Sequence, residues 1–186
     1  MSDSELVAYE TAPGLLEQIT PLVRAVPDFP MKGVVFRDIT PLLLAPAALH
    51  SVVEYLAEAF QHERVDRIAA IESRGFILGA PLAIRLGCGF IPIRKLGKLP
   101  RRTISREYTL EYGTNHLEMH ADAVDPGQRV LIVDDVLATG GTARATVELV
   151  REAGGIVVAT AFLIEIAGLG GTKRLEDARV ISLVKY

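Results

Sequence analysis

Cysteine is nearly absent from this sequence, and so is any long apolar segment. The single cysteine, Cys88, stands between two glycines, where we interpret it as a small buried hydrophobe. One cysteine excludes a disulfide within the chain and leaves no cluster for structural zinc. The longest uncharged apolar run, Ile39 to Val53, contains Pro41 and Pro46 and is too short to span a bilayer. We therefore expect no membrane partner.

A strong charge of either sign is also missing. The formal net charge is −3, which argues against a protein built mainly to neutralise nucleic-acid phosphates. The first ten residues, MSDSELVAYE, are acidic and have no apolar core, unlike a signal peptide, so we expect a cytoplasmic protein. The 186 residues show no repeat, low-complexity tract or linker, and 49% of them are hydrophobic. This composition predicts a single globular domain over residues 1–186.

Continuous apolar runs rich in β-branched residues alternate with helical patterns along the chain. The runs predict buried strands at residues 67–71, 90–93, 130–133 and 157–164. The patterns between them predict helices at residues 47–61, 75–86 and 142–153. Because strand and helix alternate, we predict an α/β fold with a mainly parallel sheet.

Residues 94–120 interrupt this alternation. Residues 108–120 (YTLEYGTNHLEMH) alternate in the manner of a hairpin, with the turn predicted at Gly113-Thr114-Asn115. Residues 94–106 carry no acidic residue and six basic ones, namely Arg94, Lys95, Lys98, Arg101, Arg102 and Arg106. This composition predicts a long solvated loop, and loops of that length in compact domains are often functional lids.

One junction between a strand and a helix carries the clearest chemical signal. In VLIVDDVLATGGT, residues 130–142, the pair Asp134 and Asp135 ends the predicted strand and two glycines open the helix. Backbone N–H groups at such a junction bind anions, and Thr139 and Thr142 add hydroxyl donors. The lysine of a P-loop and the third glycine of a dinucleotide fingerprint are both missing. Carboxylates bind a vicinal diol and the waters of Mg²⁺, so the pattern indicates a ribose 5-phosphate.

Residues 130–142 resemble the ribose-phosphate signature of the type I phosphoribosyltransferases. Other segments are similar to the adenine-specific branch of that family, in the same order: residues 26–43 (VPDFPMKGVVFRDITPLL), 71–83 (IESRGFILGAPLA), 93–100 (IRKLGKLP) and 110–113 (LEYG). The resemblance covers nearly the whole chain from about Leu15 and departs from the family at Lys32, where a proline is common. It implies the type I phosphoribosyltransferase fold, with a hood at about residues 15–45 and a flexible catalytic loop and hairpin at about residues 94–120.

The resemblance also implies a reaction. Members of this branch join adenine to phosphoribosyl pyrophosphate and give AMP and pyrophosphate, with Mg²⁺ held mainly by substrate and water, and they act as homodimers. The match implies that Asp134 and Asp135 bind the ribose hydroxyls. The 5-phosphate would be bound by the residues that follow, Ala138, Thr139, Gly140, Gly141 and Thr142.

The pyrophosphate is expected at a second anion-facing turn. Glu72-Ser73-Arg74-Gly75 follows a predicted strand and opens a helix, and Arg74 offers a fork of N–H donors. We assign Ser73, Arg74 and Lys98 to the pyrophosphate, with Arg74 as a catalytic residue, and interpret Lys95, Arg101 and Arg102 as solvated. The resemblance suggests a cis peptide between Glu72 and Ser73, which can turn a backbone N–H toward the pyrophosphate.

The adenine site is expected in the hood. Phe36 can stack on the purine, while backbone groups of Val35 and Arg37 read its edge. We expect Glu111 to transfer the proton. Tyr112 is expected on the other face of the hairpin, against the closed lid, and is assigned to the binding of phosphoribosyl pyrophosphate and AMP. The histidines lack metal-ligand spacing and are interpreted as surface or hairpin residues: His50, His62, His116 and His120.

Two alternatives stay open at the level of sequence. The first keeps the fold and changes the base to hypoxanthine, guanine, xanthine or orotate, although the hood segment counts against it. The second is a nucleotide-sensing regulator on the same fold that binds nucleic acid. Its only support is the basic segment at residues 94–106, while the chain lacks an added helix-turn-helix region and is negative overall. We expect no nucleic-acid partner.

Overall fold

The computed structural model describes residues 13–109 and 114–186. The helices in these ranges are α1 (Pro13–Ile19), α2 (Thr40–Leu43), α3 (Pro46–Phe60), α4 (Arg74–Leu86) and α5 (Gly141–Glu152). The strands are β1 (Arg24–Pro27), β2 (Val35–Asp38), β3 (Arg67–Ile71), β4 (Gly89–Lys95), β5 (Thr103–Thr109), β6 (Thr114–His120), β7 (Arg129–Leu137), β8 (Ile156–Glu165) and β9 (Val180–Lys185). Short 3-10 turns cover Thr20–Leu22, Ala167–Leu169 and Gly171–Leu175. Within the described ranges, every helix is too short or too polar to cross a membrane.

Seven strands form one twisted sheet in the order β5-β6-β4-β3-β7-β8-β9. The five strands from β4 to β9 in this order are parallel, whereas β6 pairs antiparallel with both β4 and β5. Strands β1 and β2 pair separately as an antiparallel ribbon. The predicted α/β class with a mainly parallel sheet is confirmed.

Both faces of the central strands are buried. In β3, Ile68 and Ala70 pack on the face covered by α3 and α4, whereas Ala69 and Ile71 pack on the face covered by α5. Successive side chains of a strand point to opposite faces, so a strand covered on both sides needs apolar residues at every position. This requirement explains the uninterrupted apolar runs in the sequence.

The chain leaves β3 and β7 in opposite directions. Strand β3 continues through α4 to β4 on one side, and β7 continues through α5 to β8 on the other. Because β3 and β7 are neighbours, a crevice opens between the two departing connections at the carboxyl ends of these strands. This is the position at which open α/β sheets bind their ligands.

The basic segment at residues 94–106 corrects one expectation. Strand β4 extends to Lys95 and β5 begins at Thr103, so only residues 96–102 connect them. The predicted loop is therefore too long, although most residues of the connection are exposed, as expected. Some of the basic side chains form ion pairs: the Arg106 guanidinium binds Glu152 of α5 at 2.7 Å. Such partners lie far away in sequence, so composition alone cannot reveal them.

The hairpin at residues 108–120 is present and longer than expected. Strands β5 and β6 pair without a break from Thr103 opposite His120 to Thr109 opposite Thr114. Thr114 and Asn115 are therefore strand residues, which corrects the turn predicted there, and Gly113 lies outside the described residues. Strand β9 and the β1–β2 ribbon are additions to the predicted elements.

Candidate active site

A cavity of about 850 Å³ opens at the carboxyl ends of β3 and β7. Its walls come from residues 33–37 of the hood, residues 72–74 after β3, residues 134–136 of β7, Ala138 and Thr142 beyond β7, and residues near the end of β8. The predicted site residues that line this cavity are Val35, Phe36, Arg37, Ser73, Arg74, Asp134, Asp135, Ala138 and Thr142. Residues from three separate parts of the sequence thus meet in one cavity.

Asp134 and Asp135 lie inside β7, which continues to Leu137, and both are buried. Asp134 accepts the backbone N–H of Asp135 at Oδ1 over 2.9 Å. Burial, followed by the charge of Asp135, raises the pKa of Asp134 well above its ordinary value. A ligand that donates hydrogen bonds or brings positive charge stabilises this pair of carboxyl groups.

Helix α4 approaches β7 closely because its second residue is a glycine. A Cβ atom on Gly75 would lie 2.8 Å from the Val133 carbonyl oxygen and 3.0 Å from Oδ1 of Asp134. No larger residue fits without displacing the backbone of β7. The first turn of α4 is therefore held beside the Asp134 carboxyl group.

Arg74 connects the Asp135 carboxylate to the hood. Its Nε donates to Oδ2 of Asp135, and its guanidinium carbon lies 5.2 Å from the centre of the Phe36 ring. A guanidinium has five N–H donors, so the bond to Asp135 leaves donors for an anion in the cavity. The peptide between Glu72 and Ser73 is cis, as predicted.

Glu72 fixes the end of β4 beside the cavity. Its carboxylate accepts Arg94 Nε at 2.7 Å and the backbone N–H of Lys95 at 2.8 Å. Burial raises the pKa of Glu72, but the two bonds and the positive charges lower it more, so it lies below its ordinary value. Lys95 lines the cavity and is exposed, as its sequence context predicts.

Lys98 stands outside the set of residues that line the cavity, and its side chain is exposed. Its backbone N–H and that of Leu99 donate to Oε1 of the buried Glu118, at 2.8 and 2.9 Å. Glu118 therefore holds the connection between β4 and β5 in place. The assignment of Lys98 to pyrophosphate stays a prediction.

The turn from β7 into α5 has the form of an anion site. We call residues 138–141 the phosphate loop. Gly140 has φ +80°, a left-handed conformation that favours glycine, and it precedes the first residue of α5. Because Gly140 has no side chain to cap the helix, the first N–H groups of α5 remain available to a ligand. Thr139, Gly140 and Gly141 belong to this turn, although the lining of the cavity includes only their neighbours Ala138 and Thr142.

Aromatic groups define the opposite wall. Phe36 packs edge-to-face on Phe29, with ring centres 5.2 Å apart. The guanidinium carbon of Arg37 lies 3.8 Å from the centre of the Tyr186 ring. Tyr186 and Tyr108 both line the cavity, and neither has a role in the sequence-based predictions. No local sequence pattern marks Tyr186 for this position.

The sequence is similar to known proteins over most of its length. The model of the phosphoribosyl transferase domain matches residues 39–184. The chain is 56% identical to an adenine phosphoribosyltransferase of Thermobifida fusca over 161 residues, 87% of this chain and 92% of that protein. The chain belongs to the adenine phosphoribosyltransferase family. The hood residues 35–37 precede the matched domain.

Solved structures of the family agree with this assignment. The crystal structure of adenine phosphoribosyltransferase from Thermoanaerobacter pseudethanolicus is 54% identical, with a TM-score of 0.89 over 92% of this chain and 99% of that one. The Saccharomyces cerevisiae enzyme, complexed with an imino-altritol bisphosphate and adenine, is 35% identical, with a TM-score of 0.88 over 92% and 99%. The type I phosphoribosyltransferase fold is confirmed.

Some predicted residues have no structural outcome. Glu111 and Tyr112 lie outside the described residues, and their roles stay predictions. Among the residues that are described, no group of three or more His, Cys, Asp and Glu side chains is arranged to hold a metal ion. His50 and His62 are exposed, and the other two histidines lie on β6.

Proposed function

We propose that this chain transfers the phosphoribosyl group of phosphoribosyl pyrophosphate to adenine, giving AMP and pyrophosphate. One observation carries the proposal: Arg74 contacts both Asp135 and the Phe36 ring, so groups suited to a ribose, a pyrophosphate and a purine share one cavity. Membership in the adenine phosphoribosyltransferase family supports the same reaction.

For the ribose phosphate, we assign the hydroxyls to Asp134 and Asp135. Carboxylates accept hydrogen bonds from a vicinal diol, and burial strengthens these bonds. We assign the 5-phosphate to the phosphate loop and Thr142, where the N-terminus of α5 offers N–H groups and partial positive charge.

For pyrophosphate, we assign Ser73 and Arg74, together with Lys98 as the sequence predicts. Lys95 joins this set because it lines the cavity beside Glu72. For adenine, we assign the Phe36 ring to the purine face and the backbone groups of Val35 and Arg37 to its edge.

The reaction breaks the bond between C1 of the ribose and the pyrophosphate oxygen and forms a bond between C1 and a ring nitrogen of adenine. Negative charge develops on the departing pyrophosphate, and the Arg74 guanidinium stabilises it. The walls of the cavity hold the purine beside C1, which supplies the orientation that the displacement needs. Adenine gives up a ring proton as it attacks C1. We assign Glu111 as the acceptor of this proton.

Magnesium fits this site as a companion of the substrate. When bound to pyrophosphate, Mg²⁺ neutralises part of the charge on the leaving group. The carboxylates of Asp134 and Asp135 line the cavity and suit the water shell of a hard cation. Because the described residues provide no cluster of three such side chains, we assign the remaining ligands to substrate and water.

We infer that the chain forms a homodimer. Helix α4 exposes Ile77 and Ile84 on one stripe, seven residues apart, and Phe90 is exposed at the start of β4. Exposed apolar groups of this kind mark protein interfaces. We expect Ile84→Glu to yield monomers in analytical ultracentrifugation, while Leu44→Glu, at a position of similar exposure (78% against 83%), leaves the dimer intact. If both variants still form dimers, α4 is not part of the interface.

A calorimetric titration tests the site directly. Phosphoribosyl pyrophosphate with Mg²⁺ is titrated into the wild-type protein and into Asp134→Asn/Asp135→Asn. Each lost charge-assisted hydrogen bond costs about 1.5–3 kcal/mol, so we expect a fall in affinity of about ten- to a hundredfold per group. The matched control is the exposed Asp122→Asn, which should bind normally. Unchanged binding by the double variant would remove the ribose assignment.

The remaining expectations also stay proposals. We treat residues 1–186 as one domain, with the hood at about residues 15–45 and the catalytic loop and hairpin at about residues 94–120. A cytoplasmic location is our prediction for the compartment.

A further inference from the structure

Residues 170–177, which we call the backing segment, contact the phosphate loop backbone to backbone. A Cβ atom on Gly171 would lie 2.3 Å from the Ala138 carbonyl oxygen and 2.9 Å from the side chain of Leu137. A Cβ atom on Gly140 would lie 2.6 Å from the Gly171 carbonyl oxygen. Real Cβ atoms essentially never come within 3.0 Å of such neighbours, so glycine is required on both sides of this contact.

The backing segment is also fixed to the helix that the phosphate loop begins. The Asp177 carboxylate binds Nη1 of Arg144 at 2.7 Å and Nη1 of Arg151 at 2.5 Å, both from α5. Nη2 of Arg151 donates to the Asp177 backbone carbonyl at 3.0 Å, and Leu175 is fully buried in the core beneath α5. These contacts hold Gly171 at a set distance from the start of α5.

The contact at Ala138 determines how the phosphate loop presents its donors. In a trans peptide, the carbonyl and the N–H of one plane point in opposite directions. Because the Ala138 carbonyl faces Gly171, the N–H of Thr139 in the same plane points away from the backing segment. The position of Gly171 therefore controls the direction of a donor in the turn assigned to the 5-phosphate.

We propose that Gly171 is a positioning residue for the substrate phosphate, acting through the backbone of the phosphate loop. The inference rests on the proposed function, because it deepens the assignment of the 5-phosphate to this loop. Gly171 touches the loop and not the substrate, so its role is to keep the donors in place. A misplacement of about 1 Å at such a site can cost on the order of a hundredfold in rate.

The test compares two alanine substitutions in neighbouring turns after β8. Gly171→Ala places a methyl group against the Ala138 carbonyl, whereas Gly168→Ala meets nothing within 4 Å and is the matched control. Calorimetry with ribose 5-phosphate isolates the phosphate and ribose contacts, and steady-state kinetics report KM for phosphoribosyl pyrophosphate and for adenine. Thermal denaturation confirms that each variant is folded.

We expect Gly171→Ala to weaken ribose 5-phosphate binding and to raise KM for phosphoribosyl pyrophosphate by about ten- to a hundredfold. KM for adenine, measured at saturating phosphoribosyl pyrophosphate, should change less than about twofold, and Gly168→Ala should match the wild type. If Gly171→Ala does not fold, Asp177→Asn replaces it in the test. This variant weakens the ion pairs of the backing segment with Arg144 and Arg151 and adds no bulk. It should raise the same KM in the same selective manner.

Three outcomes would overturn the inference. They are wild-type affinity for ribose 5-phosphate in folded Gly171→Ala, an equal loss for adenine and phosphoribosyl pyrophosphate, and a wild-type protein that does not bind ribose 5-phosphate. The proposed function fails separately, if the wild-type protein forms no AMP while ribose 5-phosphate still binds and Gly171→Ala still weakens it. The binding arm thus distinguishes failure of the positioning role from failure of the reaction.

Discussion

The guanidinium of Arg74 binds the carboxylate of Asp135, a residue 61 positions later in the sequence. The pair joins the first turn of α4 to β7 inside the cavity. The side chain of Asp135 is 5% exposed and that of Arg74 is 44% exposed, so a buried anion holds a cation that still reaches the solvent. Two residues with separate substrate assignments are thus neighbours, and changes to them should not act independently.

A double-mutant cycle measures this dependence. We expect Arg74→Ala and Asp135→Asn each to weaken binding of phosphoribosyl pyrophosphate, with a coupling free energy of about 0.5–3 kcal/mol when combined. The binding free energies come from calorimetry. For the control pair, Arg101→Ala with Asp135→Asn, the effects should add to within about 0.5 kcal/mol, because Arg101 binds Asp122 instead. Additive effects for Arg74 and Asp135 would contradict the role of the ion pair.

Asp134 should reduce the stability of the fold while it serves binding. Burial and the charge of Asp135 raise its pKa in the folded state, so its stabilising contribution is complete below the unfolded pKa and is lost as pH rises through the folded pKa. Asp134→Asn keeps an acceptor for the Asp135 N–H and cannot ionise. We expect the thermal midpoint of Asp134→Asn to exceed that of the wild type at pH 8 and to approach it near pH 4. Each kcal/mol of difference in the free energy of unfolding corresponds to about 2–4 °C in the midpoint. Differential scanning calorimetry of both proteins from pH 4 to pH 8 measures this difference. A midpoint of Asp134→Asn below that of the wild type at pH 8 would refute the prediction.

Glu118 should act in the opposite sense. Burial raises its pKa, but the N–H groups of Leu99, Lys98 and Gly97 lower it more, and the pKa lies below its ordinary value. Its contribution is therefore present above the unfolded pKa of about 4.3 and is lost as pH falls through the folded pKa.

Urea denaturation of Glu118→Gln tests this sign. At pH 7 we expect a loss of about 1.5–3 kcal/mol in the free energy of unfolding, and the difference from the wild type should shrink below about pH 4. The exposed Glu107→Gln on the neighbouring strand is the control and should change stability by less than about 0.5 kcal/mol. A pH-independent difference for Glu118→Gln would show that packing, rather than charge, explains its effect.

Glu111→Gln tests the proposed proton acceptor. The amide keeps the shape of the side chain but cannot accept the proton, so turnover should fall by about 10²–10⁴-fold with little change in affinity for phosphoribosyl pyrophosphate. Glu107→Gln on the same hairpin controls for the loss of one negative charge. A fall of less than about tenfold, measured by steady-state kinetics while chemistry limits the rate, would exclude Glu111 from this role.

Some of the fold and site could be predicted because local sequence carries the relevant physics. Strand β3 lies at residues 67–71 as predicted, since a strand buried on both faces needs apolar residues throughout. Asp134 and Asp135 were recognisable because charges directly after a buried run, followed by two glycines, have few structural explanations. The parallel order of the strands then places the predicted turns at one edge of the sheet.

Other features depend on contacts between distant residues. The extent of β4 and β5 within the basic segment could not be predicted because the partners of this segment, Glu72, Glu118 and Glu152, lie elsewhere in the chain. Tyr186 reaches the site because β9 lies beside β8 and returns the chain to the same edge, whereas Gly171 contacts the phosphate loop from the connection between β8 and β9. Neither residue stands in a pattern that marks binding, so the structure was needed to find them.

A comparison of bases as substrates tests most directly whether the chain transfers the phosphoribosyl group to adenine. The protein is mixed with Mg²⁺, phosphoribosyl pyrophosphate and one of adenine, hypoxanthine, guanine, xanthine or orotate, and the nucleotide product is quantified by liquid chromatography and mass spectrometry. We expect AMP and pyrophosphate in equal amounts from adenine, with kcat/KM for adenine far above that for any other base. Faster nucleotide formation from another base, or none from adenine, would contradict it.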